Sequence, residues 1–225
     1  ADGISAALNS IFYSEADLNS AHIIRECLTN QIWGIGVSES SIDDVSFRNA
    51  ADILFREQMG ISIKWTDSTS INEFVDNIKE HINAQLYLDR ITNKWKLYLI
   101  RDDYEVDNLI SLNESNIRNL DFERRTLAEC VNAVTVTYYD RERAKDSTVT
   151  VQDIARIAQQ GGVISQSIDH KGFTNSNIAG RIALRDLKTL SSTLASVSFD
   201  VDERFSESWH EGMPFNLSDS SYGLS

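Results

Sequence analysis

The acidic stretch 103–114 has the residue types and spacing that come closest to a metal site. Counted from its first residue, carboxylates stand at positions 1, 3, 5 and 12 of a twelve-residue window: Asp103, Glu105, Asp107 and Glu114. The calcium loop of an EF-hand takes ligands from these positions. Position 6, however, is Asn108 where the calcium loop has glycine, and the preceding "KWKLYLI" alternates like a strand instead of a helix. An acidic strand end therefore explains the stretch better than a calcium site, and we expect neither a metal nor a cofactor.

Histidine is the other residue type that could carry chemistry, and the chain has four: His22, His81, His170 and His210. None of them belongs to an H-E-x-x-H pair. The segment "SIDHKG" brings Ser167, Asp169 and His170 together in sequence, but no G-x-S-x-G motif accompanies it. A small hydrolase built around His170 or His210 is thus a minor hypothesis. A surface loop histidine is the simpler interpretation of His170, and we expect no catalytic residues and no enzymatic activity.

Three further features have structural explanations. The glycine pair in "QQGGV" (159–163) lacks the spacing of a phosphate loop, so it predicts a turn. The charged run "DRERAKD" (140–146) predicts a solvated hairpin tip, or else a rim contact in an assembly. Trp95 alternates with Leu97 and Leu99, which favours core packing over a sugar platform. The other tryptophans are spread along the chain: Trp33, Trp65 and Trp209.

Composition makes several classes of protein improbable. With 34 acidic against 21 basic residues, the net charge of −13 repels nucleic-acid phosphates, so sequence-specific nucleic-acid binding is not expected. No apolar run approaches the roughly 20 residues that a membrane span needs. Cys27 and Cys130 form no C-x-x-C pair and are expected to be buried thiols. The chain begins without methionine and without a signal-peptide pattern, so we expect a processed chain or a piece of a longer protein.

The elements that must position these residues change in character along the chain. After a weakly patterned N-terminal segment (1–18), residues 19–115 show amphipathic helices that begin near Asn19, near Asp43 and at Ser70. The third helix opens with an S-x-x-E capping box. A strand, "ISIKW", precedes it, and a hairpin, "AQLYLDRITNKWKLYLI", follows it. We predict an α/β-mixed domain with helices and a hairpin.

Residues 116–225 are richer in strands. The segment "NAVTVTYYDRERAKDSTVTVQD" predicts a hairpin, "IARIAQQGG" a short helix and "VISQSID" a strand. A long helix at 174–191 is followed by "LASVSFDVD" and "GMPFNLS", which both predict strands. Several strands with one packed helix indicate a barrel-like β domain, incomplete at its C-terminus. The predicted fold class is therefore α+β, in two domains that meet near residues 115–120.

Taken in order, these blocks resemble the putative phage tail protein family. The resemblance is carried by "AHIIRECLTN", "WGIG", "DDVSFRNAADILF", "SINEFVDNIKEHINAQLYLDR", "KWKLYLIRDDYEVDNL", "RTLAECVNAVTVTYYDRER", "TVTVQDIARIAQQGGV", "RIALRDLKTLSS" and "ASVSFDVD". It covers residues 19–223 and lies in the ordered series, since no single block is diagnostic. The family includes tail-tip hub and host-attachment proteins of lambda-like long-tailed phages and prophages.

The resemblance implies a virion structural protein, a fragment of a tail-tip or baseplate hub that joins the tail tube to the distal tip and fibre. It implies a homotrimer in the full-length protein, contacts with tube, tape-measure and fibre proteins, part of the DNA exit channel, and no catalytic residues. Such a chain is made in the bacterial cytoplasm and ends in the virion tail. Acidic side chains would contribute to a negative lumen or surface and reduce the binding of DNA, such as Asp102, Asp103 and Asp107, or those near Asp200 and Asp202. The alternative is a host-surface carbohydrate-binding module that uses exposed aromatic side chains.

Overall fold

The structure is a computed structural model that describes residues 17–65, 69–124, 126–202 and 209–223. Within these ranges the helices are α1 (Ser20–Thr29), α2 (Asp44–Arg56), α3 (Ile71–Ile82), α4 (Ile154–Gln160) and α5 (Ser176–Ser191). The strands are β1 (Leu18–Asn19), β2 (Gly60–Ile61), β3 (Ala84–Asp89), β4 (Lys94–Leu99), β5 (Ile110–Leu112), β6 (Ile117–Arg124), β7 (Ala133–Asp140), β8 (Lys145–Gln152), β9 (Ser165–Asp169), β10 (Ala195–Val201) and β11 (Phe215–Leu217). Most of the predicted N-terminal segment 1–18 lies outside the described residues. Among the helices described, none has the length and apolar character needed to cross a membrane.

The first three helices form where the sequence predicts them because each has a capped N-terminus and one apolar face. Asn19 caps α1 and Asp43 caps α2, in each case by accepting a backbone N–H of the first turn. Ser70 and Glu73 form the predicted capping box of α3. The buried apolar residues include Ile24, Cys27 and Leu28 on α1, Phe47, Ala50, Ala51 and Leu54 on α2, and Val75, Ile78 and Ile82 on α3. These faces meet because α1 packs against both α2 and α3.

Both predicted hairpins are present. β3 pairs antiparallel with β4, and β7 pairs antiparallel with β8. β9 adds parallel to β7, which gives a three-stranded sheet in the order β8-β7-β9. Helix α5 packs across β7 and β8 and covers this sheet. The predicted strand "ISIKW" is reduced to β2, which pairs only with the short β1.

Two strands lie where the sequence predicts none: β5, inside the acidic stretch, and β6, directly after it. β6 pairs antiparallel with β10, with a register shift between Ser198 and Asp200, and β11 pairs parallel with β5. The side chains of β6 are mostly polar and exposed, so its period-two pattern is weak. Its partner also lies far along the chain, and only the tertiary fold selects it.

The mixed α+β class is confirmed, whereas the predicted barrel is not. All sheets in the described ranges are open and have two or three strands. The hydrophobic core also crosses the predicted boundary near residues 115–120, because α1, α2, α3 and β4 share it with β7 and α5. Its fully buried members include Ile24, Leu54, Ile78, Val134, Val136 and Phe173. The division into domains 19–115 and 116–225 therefore stays a prediction.

Arg101 ties together three elements of the first half. Its Nε and Nη2 atoms donate to the two carboxylate oxygens of Glu57, just beyond α2, at 2.7 and 2.8 Å. Its Nη1 atom donates to the carbonyl oxygens of Ile82, at the end of α3, and of Ile100, after β4, at 3.0 and 2.9 Å. A planar guanidinium can serve a carboxylate and two carbonyls at once, whereas an ammonium group cannot hold that geometry. The residue thus fixes the ends of α2, α3 and β4 relative to one another.

Replacing Arg101 with lysine should lower the free energy of unfolding by about 1–3 kcal/mol, because lysine loses the bidentate contact and leaves carbonyls unpaired. Urea unfolding followed by tryptophan fluorescence measures the loss. The control is Lys171→Met at the exposed Lys171–Asp146 pair, which should leave the urea midpoint unchanged. An Arg101→Lys protein as stable as the wild type would show that the hydrogen bonds of Arg101 contribute nothing to stability.

Candidate functional site

The structure does not bring the carboxylates of the acidic stretch together. Asp103 and Glu105 lie exposed in an irregular segment between β4 and a short 3-10 turn (Val106–Asn108). Glu114 instead accepts hydrogen bonds from the hydroxyl and, at 2.6 Å, the backbone N–H of Ser220, and these bonds lower the pKa of Glu114. Nowhere in the described ranges do three acidic, histidine or cysteine side chains lie close enough to hold one metal ion. The stretch is flanked by strands, not by the two helices of a calcium loop.

Two of the four histidines lie side by side in the protein interior. His81 on α3 is 2% exposed and His170, just after β9, is 4% exposed, and their ring centroids are 4.6 Å apart. The Nδ1 atom of His81 donates to the carbonyl oxygen of Asn77 at 2.7 Å, and its Nε2 atom accepts the backbone N–H of Gly172 at 3.2 Å. Both nitrogen atoms of His81 are therefore satisfied in a single neutral tautomer.

Protonation of His81 would disrupt this arrangement, because a proton on Nε2 would face the N–H donor of Gly172. The pKa of His81 is lowered to about 4, mainly by burial and secondly by the neighbouring His170. A Cβ atom at position 172 would stand 3.0 Å from Nε2 of His81, so any larger residue there would crowd the imidazole. Neutral His81 thus joins α3 to the segment that leads into α5.

His170 is tied to α5 and not to a nucleophile. Its Nε2 atom lies 3.7 Å from a carboxylate oxygen of Asp186, whose other oxygen accepts from Arg185 at 2.8 Å. Burial by itself would raise the pKa of Asp186, but the neighbouring His170 and Arg185 outweigh it and hold that pKa below its ordinary value. Ser167, the predicted nucleophile candidate, lies exposed on β9. In the described part of the chain, no hydroxyl or thiol forms a hydrogen bond with the ring of His81 or His170.

The predicted surface position of His170 is therefore wrong, and the sequence analysis missed its pairing with His81. One signal for His81 was present: it stands three residues after Ile78, on the apolar face of α3. No comparable signal marks His170, because its contact with α3 joins distant parts of the chain. The neighbouring hydrogen bond between Gly172 and His81, for example, joins residues 91 positions apart. The absence of enzymatic activity stays a prediction.

The glycine pair forms the predicted turn. Gly161 ends α4 with a φ of 75°, in the left-handed region that glycine adopts without strain. The buried amide of Asn132 donates to the carbonyl of Gly162 and to the side chain of Gln160, at 2.8 and 2.6 Å, and accepts the N–H of Ile164 at 2.8 Å. The polar groups around the turn are thus used to hold it, which supports a structural role.

Part of the charged tip at 140–146 is not solvated as predicted. Arg141 binds the carboxylate of Asp17, which is 4% exposed and also accepts the hydroxyl of Thr174 at 3.0 Å. This contact fastens the start of the described chain to the second half. The remainder of the tip fits the prediction better, since Lys171 and Asp146 form an exposed pair. The rim contact stays a prediction.

Aromatic side chains line a cavity of about 810 Å³ beside β3. The ring of His210 stacks on Tyr87, with centroids 4.3 Å apart and planes 8° apart. Trp209 stacks on Phe215 in the same way, with centroids 6.1 Å apart. Each of these rings already has one face covered by another ring, so it offers at most one face to a sugar.

The remaining tryptophans also differ from a sugar platform. Trp95 packs against the hydrophobic core, as predicted. Trp33 and Trp65 line an apolar groove of about 610 Å³ beside α1, but their planes are inclined by 48°. Among the described residues, the aromatic geometry does not favour the carbohydrate-binding alternative.

Comparison with known proteins identifies the kind of chain to which this geometry belongs. The sequence pattern of the putative phage tail protein family matches residues 75–207. The fold is similar to that of a tail protein from Neisseria meningitidis MC58, with a TM-score of 0.52 and 12% identity over 73% of this chain. A 43 kDa tail protein of prophage MuSo2 from Shewanella oneidensis gives a TM-score of 0.44 and 13% identity over 72% of this chain and 46% of that one. No curated protein sequence matches the chain.

The chain spans about half the length of the Neisseria protein, of which 50% is covered. At 12% identity the likeness shows a shared fold and nothing finer.

Stability should fall as the pH is lowered from 6.5 to about 4, because unfolded His81 takes up a proton near its ordinary pKa of 6.5 and folded His81 does so only near 4. The linked loss is roughly 3 kcal/mol in the free energy of unfolding. His81→Gln should remove most of this pH dependence, which thermal unfolding at a series of pH values measures. Phe173→Leu is the control, because it weakens packing at every pH but keeps the imidazole. The slope of its stability against pH should therefore match that of the wild type. If the stability of His81→Gln depended on pH as steeply as that of the wild type, His81 would not be the group responsible.

Calcium should not stabilise the protein, because the carboxylates of the acidic stretch do not converge in the structure. The melting temperature is expected to be the same with calcium and with a chelator, since a ligand that binds the folded state would raise it. Magnesium serves as the control for a general ionic effect. A rise specific to calcium that disappears in Asp103→Asn would restore the calcium hypothesis.

Proposed function

The chain belongs to the putative phage tail protein family, and from this premise we propose that it is a structural part of the tail-tip hub of a bacteriophage or prophage. The observation that carries the proposal is the family match over residues 75–207. The matched region contains most of α3, all of α4 and α5, and the strands from β3 to β10. It therefore includes much of the core that unites the two halves of the chain.

The hub joins the tail tube to the distal tip and fibre as a homotrimer in the full-length protein, where the barrel-like domain is completed. Its lumen forms part of the DNA exit channel. The net charge of −13 supports this role, because an acidic wall repels phosphates and lets DNA pass without binding it. The protein is made in the bacterial cytoplasm and assembled into the virion tail beside tube, tape-measure and fibre proteins.

The hub acts by assembly and not by catalysis. The two buried histidines support this part of the proposal, because His81 and His170 bond to the backbone and to α5 and leave no base facing a nucleophile among the described residues. The polar groups of the glycine turn and of the Arg101 clamp are likewise engaged in holding the fold. Such an arrangement suits a structural component that must stay rigid under mechanical force.

Deleting the gene in the phage or prophage that encodes the protein should give particles that lack a complete tail tip and do not infect. Electron microscopy of purified particles measures the defect, and a plasmid copy should restore infection. In complemented particles, antibodies against the chain should label the distal end of the tail. Label distributed along the tube, or intact infectious tails without the protein, would contradict the hub assignment.

A further inference from the structure

Among the described residues, one edge of the β3–β4 hairpin is covered and the other is open. In the antiparallel ladder, Ile100 N–H donates to Asn83 C=O at 2.9 Å in continuation of the strand register. Hydrogen-bonded and non-bonded pairs alternate in such a ladder. The backbone groups of Ala84, Leu86 and Leu88 therefore point away from β4, and those of alternate β4 residues, beginning with Trp95, point away from β3.

The outer edge of β4 is occupied. The carbonyl of Trp95 accepts the N–H of Asp43 at 3.0 Å, and the N–H of Leu97 donates to the hydroxyl of Ser46 at 3.3 Å. The outer edge of β3 differs: in the described part of the chain, no hydrogen bond ends on the backbone of Ala84, Leu86 or Leu88. An open strand edge is a template for another extended chain.

The surroundings of this open edge are basic and partly apolar. Arg90 and Lys94, at the tip of the hairpin, are exposed and have no ion-pair partner among the described residues, whereas Lys96 is paired with Asp89. Leu88 and Ile91 are 45% and 66% exposed. Although Glu211 lines the same groove, the tip carries a local excess of positive charge on a chain with a net charge of −13. We call residues 84–94 the β3 edge.

A segment of opposite charge and matching pattern lies at residues 102–106, here called the acidic arm. Acidic residues alternate in it with Tyr104 and Val106, which are 43% and 58% exposed. In an extended chain this spacing puts Asp103 and Glu105 on one side, and Tyr104 and Val106 on the other together with Asp102. Glu105 is already extended, with φ −90° and ψ 119°, and no described hydrogen bond ends on the backbone of Asp102, Asp103 or Tyr104. The backbone of residues 102–104 is therefore open to strand pairing. The carbonyls of Glu105 and Val106 are already used, because they accept the N–H groups that form the following 3-10 turn.

The arm cannot reach the basic tip of its own hairpin along β3. It follows β4 and begins beside Asn83, at the opposite end of β3 from Arg90. Six strand residues separate the two ends, which corresponds to about 20 Å. The acidic arm can therefore meet a basic tip of this kind on a second copy of the chain.

We propose that the acidic arm of one copy adds as a third strand to the β3 edge of the next copy. The acidic side chains then lie near Arg90 and Lys94, and Tyr104 and Val106 cover Leu88 and Ile91. Because the two surfaces differ, the contact is head-to-tail, the kind that closes into a ring. The inference rests on the proposed function and supplies a contact for its homotrimer. Asp103 and Glu105 then lie between copies and not on the channel wall.

Charge reversal tests the pairing in the whole chain. Asp103→Lys/Glu105→Lys in the arm, or Arg90→Glu/Lys94→Glu at the edge, should each weaken self-association by about tenfold or more. Combining all four substitutions in one chain should restore association to within about threefold of the wild type, because opposite charges face each other again. Sedimentation equilibrium measures the association constants. Arg143→Glu/Lys145→Glu, at the β7–β8 tip, makes the same change in net charge as the edge variant and should have no effect on self-association.

Backbone pairing is tested separately at position 88. Leu88→Pro removes an N–H that points away from β4, so the hairpin ladder is kept while strand addition is blocked. This variant should lose association, whereas Leu88→Thr, which keeps the N–H, should retain most of it. Circular dichroism and thermal unfolding verify that each variant is folded.

The possible results test the contact between the acidic arm and the β3 edge separately from the hub proposal. A wild-type chain that self-associates while the charge-reversed chains associate equally well would overturn this contact and leave the hub proposal standing. A wild-type chain that stays monomeric at every concentration would overturn the contact, whereas the hub proposal is decided separately by the particle imaging described above.

Discussion

Burial of one apolar core between elements from both ends of the chain is the constraint on which the rest of the structure depends. Helices of 10 to 13 residues such as α1, α2 and α3 are not stable alone in water and need a surface that covers their apolar faces. Part of that surface comes from β7 and α5, far along the chain. The same closure brings the segment at Gly172 against α3, which is why His81 and His170 meet.

The core also decides which charged groups can be buried. Buried Asp17 is held by Arg141 and Thr174, and partly buried Asp186 by Arg185 and His170, so both carboxylates have compensating donors. His81 is buried in its neutral form for the same reason. The remaining acidic groups are mostly exposed, where water solvates them and where they can face another copy of the chain or DNA.

Local elements were predictable to the extent that their signals were local. The caps Asn19 and Ser70, the apolar stripe of α2 and the β7–β8 hairpin each depend on residues within a few positions of one another, and all are confirmed. β5 and β6 were missed, because short polar strands form only when distant partners, β11 and β10, supply the second half of the ladder. The barrel was extrapolated from the number of strands, whereas the described sheets remain small and open.

The resemblance of the ordered blocks indicated the family, whereas residue type and spacing were enough to predict the acidic character and the turn at Gly161, because these depend on composition and on neighbours in the chain. They could not show that Glu114 binds Ser220, that Arg141 reaches Asp17, or that the outer edge of β3 stays open. Each of these follows from which distant backbone groups and side chains the core brings together. Hydrogen bonds and ion pairs act only over a few ångströms, so three-dimensional closure, and not sequence spacing, selects their partners.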